Sequence, residues 1–298
     1  MRPVAILCGD IHLSLKPPVF RAGEPDWFEA MARGLKQLGR HAAAANVPIL
    51  CAGDIFDRWH GPVEVINFAL DNLPEMYAVP GQHDLPYHRF EDMGKSAFGV
   101  LVKAGKVKLL GTADRINGIW VTGFPWNACL APTNPSTNPP LQIAVVHKYV
   151  WLKDEHKHPE ASADSNWTSL HPQLEGYDLC VFGDNHKGFY SKKQGIFNCG
   201  TFFRRKADEV DYVPRYGILY SDGSVVSVGL DTSLDVYAAS DEGATKAEVR
   251  ELPDFVKSFD SLATDPLDYE AHLDRAIENE DSAVRAAVIK IREGIQDE

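Results

Sequence analysis

The 298-residue chain has no run approaching about 18 consecutive apolar residues, so nothing in it reads as a membrane-spanning helix. The apolar stretch Val4 to Cys8 is too short for a secretory signal and soon meets Asp10. Cysteine is scarce, with five residues, an odd number, and no CxxC pair. Cys8, Cys51 and Cys180 lie in or beside apolar runs and read as reduced, buried thiols of a cytoplasmic protein. Internal repeats and low-complexity tracts are missing, and the Pro/Asn/Thr-rich stretch 131–140 reads as a loop. Basic residues are outnumbered, 30 Lys and Arg against 42 Asp and Glu, for a net charge of −12. Taken whole, that balance argues against coating nucleic acid or an anionic membrane by bulk electrostatics.

What is present suits a soluble globular protein with ample length for a core: 44% hydrophobic and 24% charged residues. Through the first third, strand-like and helix-like signals alternate. Val4–Leu7, Pro48–Cys51 and Met76–Val79 are short apolar runs, each ending in a turn. Between them, Trp27, Met31, Leu35, Leu38 and Ala42 predict an amphipathic helix over 27–45. Val63, Ile66, Leu70 and Leu73 predict a second helix starting at Pro62. Later segments (108–110, 119–123, 142–146, 179–182, 196–198 and 216–220) read as strands with few helices between them. Asp222-Gly223 turns a hairpin into 224–228. The expected fold is α/β, two mixed sheets with helices outside. Residues 1–235 form the expected catalytic domain, and 236–298 an acidic extension with amphipathic helices around 269–277 and 284–295.

Each early strand ends in metal-friendly side chains: Asp10-Ile11-His12, Gly53-Asp54-Ile55-Phe56-Asp57-Arg58, and Gly81-Gln82-His83-Asp84. Two later strands add His147 and Gly183-Asp184-Asn185-His186. In open α/β sheets the carboxyl ends of strands converge on a ligand crevice, so five such clusters can meet in space. Each alone is better explained as a helix cap, a turn or a hydrogen-bonded histidine; five in order are not.

The order DxH, GDxxDR, GxHD, isolated His and GxxH over residues 1–230 resembles the calcineurin-like metallophosphoesterases. The resemblance implies an αββα sandwich holding two divalent metal ions, Mn²⁺ foremost with Mg²⁺ as the alternative. It assigns Asp10, His12, Asp54 and His186 to the first ion, and Asp54, Gln82, His147 and Asp184 to the second. Asp54 is the expected bridge, since one carboxylate can divide its oxygens between ions roughly 3.5–4 Å apart. Water acidified by the ions would attack phosphorus in line, and His83 would protonate the leaving oxygen with Asp84 orienting it. Asp57 and Arg58 are expected just behind, Arg58 fixing a carboxylate or a phosphate. The family usually has Asn at Gln82 and His at Asp184, which makes the second site richer in oxygen and favours Mn²⁺ or Mg²⁺.

Within the family the chain looks most like SbcD-type DNA repair exonuclease subunits, implying DNA as substrate and an SMC-like ATPase as partner. A second copy of the chain is the other partner considered, and a membrane is not expected. The charge supports DNA once it is divided. Residues 231–298 hold 18 acidic and 7 basic side chains, a net of −11, leaving −1 for the rest. Lys187–Lys206 carries six basic residues and no acid beside His186, with Phe189, Tyr190, Phe202 and Phe203 interleaved. Lys187, Arg204 and Arg205 are the candidate DNA contacts; a solvated hairpin whose aromatics sit in the core is the alternative reading of this segment. A phosphatase or small-nucleotide phosphodiesterase on the same centre is the alternative. A noncatalytic binding subunit is the third reading, resting on Gln82 and Asp184.

Overall fold

A computed structural model describes residues 1–133, 140–206, 209 and 211–238. The chain divides into two compact units, Met1–Ala239 and Ser240–Glu298. The second lies outside the described residues, and with it both predicted C-terminal helices. Residues 236–238, assigned from sequence to the extension, bond to the first unit: Val236 N–H donates to Glu24 and Ala238 N–H to the Phe20 carbonyl.

Among the described residues, twelve strands make two six-stranded mixed sheets. The first contains β1 (Pro3–Cys8), β2 (Ile49–Cys51), β3 (Met76–Ala78), β4 (Val107–Leu109), β11 (Arg215–Tyr220) and β12 (Val225–Gly229), in the order β12-β11-β1-β2-β3-β4. The second contains β5 (Asp114–Ile116), β6 (Ile119–Phe124), β7 (Gln142–His147), β8 (Leu179–Gly183), β9 (Phe189–Ser191) and β10 (Ile196–Asn198), in the order β5-β6-β7-β8-β10-β9. β1 to β4 run parallel, as do β6, β7, β8 and β10, while the flanking strands pair antiparallel.

Strand alternation builds the layers. In β1, Leu7 points between the sheets while Ile6 and Cys8 face the helices; in β7, Ile143 and Val145 point inward and Ala144 and Val146 outward. The first sheet's outer face is covered by α1 (Trp27–Ala45), α2 (Val63–Asn72) and α3 (Ala97–Lys103). α1 buries the predicted stripe Trp27, Met31, Leu35, Leu38 and Ala42; Asp26 caps its start and the left-handed Asn46 ends it. The second sheet's outer cover is thinner. The one-turn α4 (Trp167–Leu170) and the neighbouring loops supply Trp167, Leu170 and Leu174 against Phe182 and Ile196.

Register carries the site. Cys8 pairs with Cys51 and Cys51 with Ala78 in the first sheet; His147 pairs with Gly183 in the second. Five parallel strands therefore stop at one edge of the sandwich, each followed by one of the polar clusters.

Candidate metal centre

The loops after β1 and β2 continue the parallel ladder beyond the strands. Asp10 N–H donates to the Gly53 carbonyl at 3.0 Å, His12 N–H to the Asp54 carbonyl at 2.9 Å, and Leu13 N–H to the Ile55 carbonyl at 2.8 Å. Asp10, His12, Asp54 and Asp184 all have left-handed backbone, with φ of 51°, 53°, 52° and 81°. Such residues cost roughly 1–3 kcal/mol each unless their surroundings over-determine them, as the paired loops do for the first three. Two glycines make room. A Cβ on Gly81 would overlap the Asp54 carboxylate, and one on Gly53, at φ 96°, would overlap the His147 ring.

Asp54 sits at the centre of the cluster. Its Oδ1 accepts the His83 N–H at 3.0 Å. Its Oδ2 is buried and accepts no hydrogen bond, although it faces the Nε2 atoms of His147, His12 and His83 at 3.5, 3.8 and 4.0 Å. A buried carboxylate oxygen that accepts no hydrogen bond, with imidazole nitrogens converging on it from 3.5 to 4.0 Å, is an arrangement that a divalent cation seated among them would complete. His12 Nε2 and His186 Nε2 approach to 3.1 Å, close to the roughly 3 Å between adjacent ligands on an ion with bonds near 2.1 Å. Asp10 joins that pair, and it also groups with Asp54 and His147.

The remaining donors lie on the other side of Asp54. His147 Nδ1 donates to the Ala52 carbonyl at 2.5 Å, bridging the two sheets and aiming Nε2 at the centre. Gln82 Oε1 accepts from His147 Nε2 at 2.6 Å, and Gln82 Nε2 donates to Asp184 Oδ1 at 2.8 Å. Asp184 N–H in turn donates to both Asp10 oxygens, at 2.9 and 3.1 Å. All seven candidate ligands therefore fall into one connected cluster, and its oxygen-rich half holds Gln82 and Asp184. The donor set fits divalent ions: Asp10, His12, Asp54 and His186 would hold one, and Asp54, Gln82, His147 and Asp184 the other.

Burial of so many charges without counter-ions displaces their protonation. Burial pushes Asp10 well above the usual carboxylate range, with Asp54 adding to it and His147 opposing. Burial also raises Asp184. Asp54 is held low, because the imidazoles of His147, His12 and His83 outweigh its burial. His147 rises to about 10: burial opposes its charge, but Asp54, Asp10 and Asp184 together win. Burial takes His12 well below the usual histidine value, and burial with Arg205 and Lys206 takes His186 to about 4.

An α/β sandwich with aspartate and histidine gathered at its strand ends defines a candidate centre for divalent metal ions. The sequence model of the family described as calcineurin-like phosphoesterase matches residues 4–188, and the chain belongs to that family. No curated protein matches the chain. Three of the solved structures it resembles are a calcineurin-like phosphoesterase, YfkN, from Bacillus subtilis, a metallophosphoesterase from Sphaerobacter thermophilus and a 5'-nucleotidase precursor from Thermus thermophilus. The first is 12% identical with a TM-score of 0.41, over 76% of this chain and 87% of that one. The second is 14% identical with a TM-score of 0.36, over 78% and 90%. The third is 12% identical with a TM-score of 0.40, over 76% and 54%.

Three expectations need correction: the roles of Asp84, of Arg204 and of the aromatic rings beside it. Asp84 does not orient His83. It is fully buried, accepting the N–H groups of Phe56 at 3.0 Å, Gly81 at 3.0 Å and Ile55 at 3.3 Å, so it ties the β2 and β3 loops together. The His83 ring is held instead by the backbone carbonyl of Asp57, 2.7 Å from Nδ1, a partner no side-chain motif announces. Arg58 is exposed and pairs with no carboxylate among the described residues, so of the two partners expected of it a phosphate is the one left. Lys187 is exposed and donates to the carbonyls of Glu155 and Lys157, whereas Arg204 is buried, donating to the Tyr212 carbonyl and the Tyr237 hydroxyl, and so is not free to meet DNA. Arg205 reaches the cluster through an ion pair with Asp57. The aromatic rings of that segment are no nucleic-acid platform either, because Phe189, Phe202 and Phe203 are core residues.

Proposed function

We propose that the protein hydrolyses phosphodiester bonds in DNA, using two divalent ions with Mn²⁺ preferred. One observation carries the metal-dependent reading: a buried Asp54 oxygen that accepts no hydrogen bond and is ringed by three imidazoles from three strand ends. When bound, the ions supply positive charge for the phosphoryl oxygens and acidify the attacking water. The chain's own residues do the rest. His83 is the half-exposed imidazole of the cluster, fixed at Nδ1 by Asp57, which leaves Nε2 turned to the cleft to protonate the leaving oxygen. Arg205 fixes Asp57, and so holds the His83 support in place.

DNA is favoured over a small ester by what adjoins the cluster. A groove of about 390 Å³ runs from Asp57 past Ser14, Lys16, Arg58 and His60. Exposed Lys16 and Arg58 line this groove and would offer two cations to a polymer's neighbouring phosphate, which a monoester does not have. An SbcD-like role with an SMC-like ATPase partner, or a homodimer, extends this proposal, and light scattering of the purified chain checks the latter.

One panel tests the function: the Mn²⁺-loaded protein with linear duplex DNA, single-stranded DNA, cyclic nucleotides and p-nitrophenyl phosphate. DNA cleavage that chelation abolishes is expected. Hydrolysis of small esters beside intact DNA would replace this reading with a phosphatase or small-nucleotide phosphodiesterase. Silence on every substrate with metal bound would favour the noncatalytic subunit.

A further inference from the structure

The two segments that hold His83 in place continue into an exposed aromatic rim. Asp57, whose carbonyl accepts from the His83 ring, is two residues before Trp59; His83 is four residues before Tyr87. Tyr87 is 77% exposed, and its ring lies 6.0 Å from that of Trp59 at an angle of 39°. On the other side, Trp126 lies 6.2 Å from His147 and 6.3 Å from His88. Edge-to-face contacts thus link the metal cluster through Trp126 to His88, whose neighbour in sequence is Tyr87.

The backbone presents Tyr87 outward at a cost. Tyr87 and His88 are consecutive non-glycine residues in the left-handed region, with φ of 52° and 57°, directly after Pro86. For a bulky aromatic that conformation is a genuine outlier, and a ring left in water gains nothing from it by packing. A planar partner laid on its open face would.

We infer that Tyr87, backed by Trp59, is a stacking subsite for a nucleobase of the substrate whose phosphate lies at the metal cluster. The inference rests on the phosphodiester reading above and adds what would recognise the group attached to the phosphate. A base has a π-face regardless of its identity, so the subsite is tolerant of sequence and requires the base to be unstacked. That makes single-stranded ends or frayed duplex the preferred form of DNA.

The test uses the full chain carrying His83→Ala, to slow cleavage, with Mn²⁺ present. Fluorescence anisotropy compares a labelled oligothymidylate with an abasic oligonucleotide of the same length, which has the same charge and no bases. Oligothymidylate is expected to bind more tightly. Adding Tyr87→Ala should weaken its binding about 5- to 150-fold, leave the abasic strand unchanged, and be rescued by Tyr87→Phe. Equal affinity for the two strands, no detectable binding of either, or no loss in the alanine variant would overturn the subsite. Cleavage by the wild-type chain separates the two claims: DNA cleavage without base-dependent binding sinks only the subsite. Conversely, tighter binding of thymidine monophosphate than of ribose 5-phosphate, lost in Tyr87→Ala, with DNA left intact, keeps the subsite and removes the nuclease.

Discussion

At the scale of single residues, His83 and Asp54 are expected to fail in different ways. The His83 side chain faces Asp54 only through Nε2, and its backbone N–H bond to Asp54 survives the substitution, so His83→Ala should leave metal binding intact and cut turnover by about 10²–10⁴-fold. Calorimetric Mn²⁺ titration beside a rate assay checks this, and a variant that keeps its rate would remove His83 from the chemistry. Asp54 faces both halves of the donor set, so Asp54→Ala should abolish binding of both ions, read as the loss of any Mn²⁺-induced rise in melting temperature. A residual single-ion titration would mean that Asp54 does not bridge. Much of this was legible in the sequence, because polar residues at the ends of parallel strands have one edge to share. Which way each one points was not. Asp84 follows His83 directly, yet the tight turn sends its carboxylate down onto three backbone N–H groups while the imidazole goes up. Likewise Arg204 and Arg205 are neighbours with opposite fates, one buried against Tyr237 and the other paired with Asp57 near the centre.

At the scale of elements, periodicity located α1 and most of the longer strands, and the antiparallel hairpin β11–β12 followed from its Asp-Gly turn. The three-residue β5 and β9 and the seven-residue α3 escaped, since so few residues carry no measurable period. Sheet membership escaped too. β11, some 200 residues after β1, returns to pair with it antiparallel, a long-range choice no local pattern records. The join between the β2 and β3 loops is equally non-local, and Asp84 makes it. Asp84→Asn would keep the shape but leave one acceptor for three donors, putting an amide N–H₂ against a backbone N–H. A loss of about 1–3 kcal/mol in urea unfolding is expected, together with weaker metal binding because Asp54 lies on one of the joined loops. Unchanged unfolding would show that the loops are held by their backbone ladder alone.

At the scale of the whole molecule, charge has to be read by place. The surplus of acid concentrates in residues 231–298, while the first unit carries Asp10, Asp54 and Asp184 close together, the first two fully buried. Without ions, those carboxylates coexist by keeping protons nearby: burial raises Asp10 and Asp184, and His147 holds its proton up to about 10. Metal ligation requires each of these groups deprotonated, so the ions must expel protons to bind. The sign follows. Wherever the metal-free chain holds more protons than the loaded one, affinity rises with pH. At pH 7 the His147 proton alone commits the chain to releasing at least one. Mn²⁺ titrations in buffers of different ionisation enthalpy should therefore show proton release at pH 7, with affinity increasing from pH 6 to pH 8. Stability should follow affinity, because ions that bind only the folded chain stabilise it by about 2.7 kcal/mol at a hundredfold excess over Kd. For a folded unit of this size that corresponds to roughly 5–10 °C in melting temperature, lost on chelation and smaller at pH 6 than at pH 8. A chelation effect independent of pH would show that the buried cluster does not hold the protons this arrangement of acids and imidazoles requires.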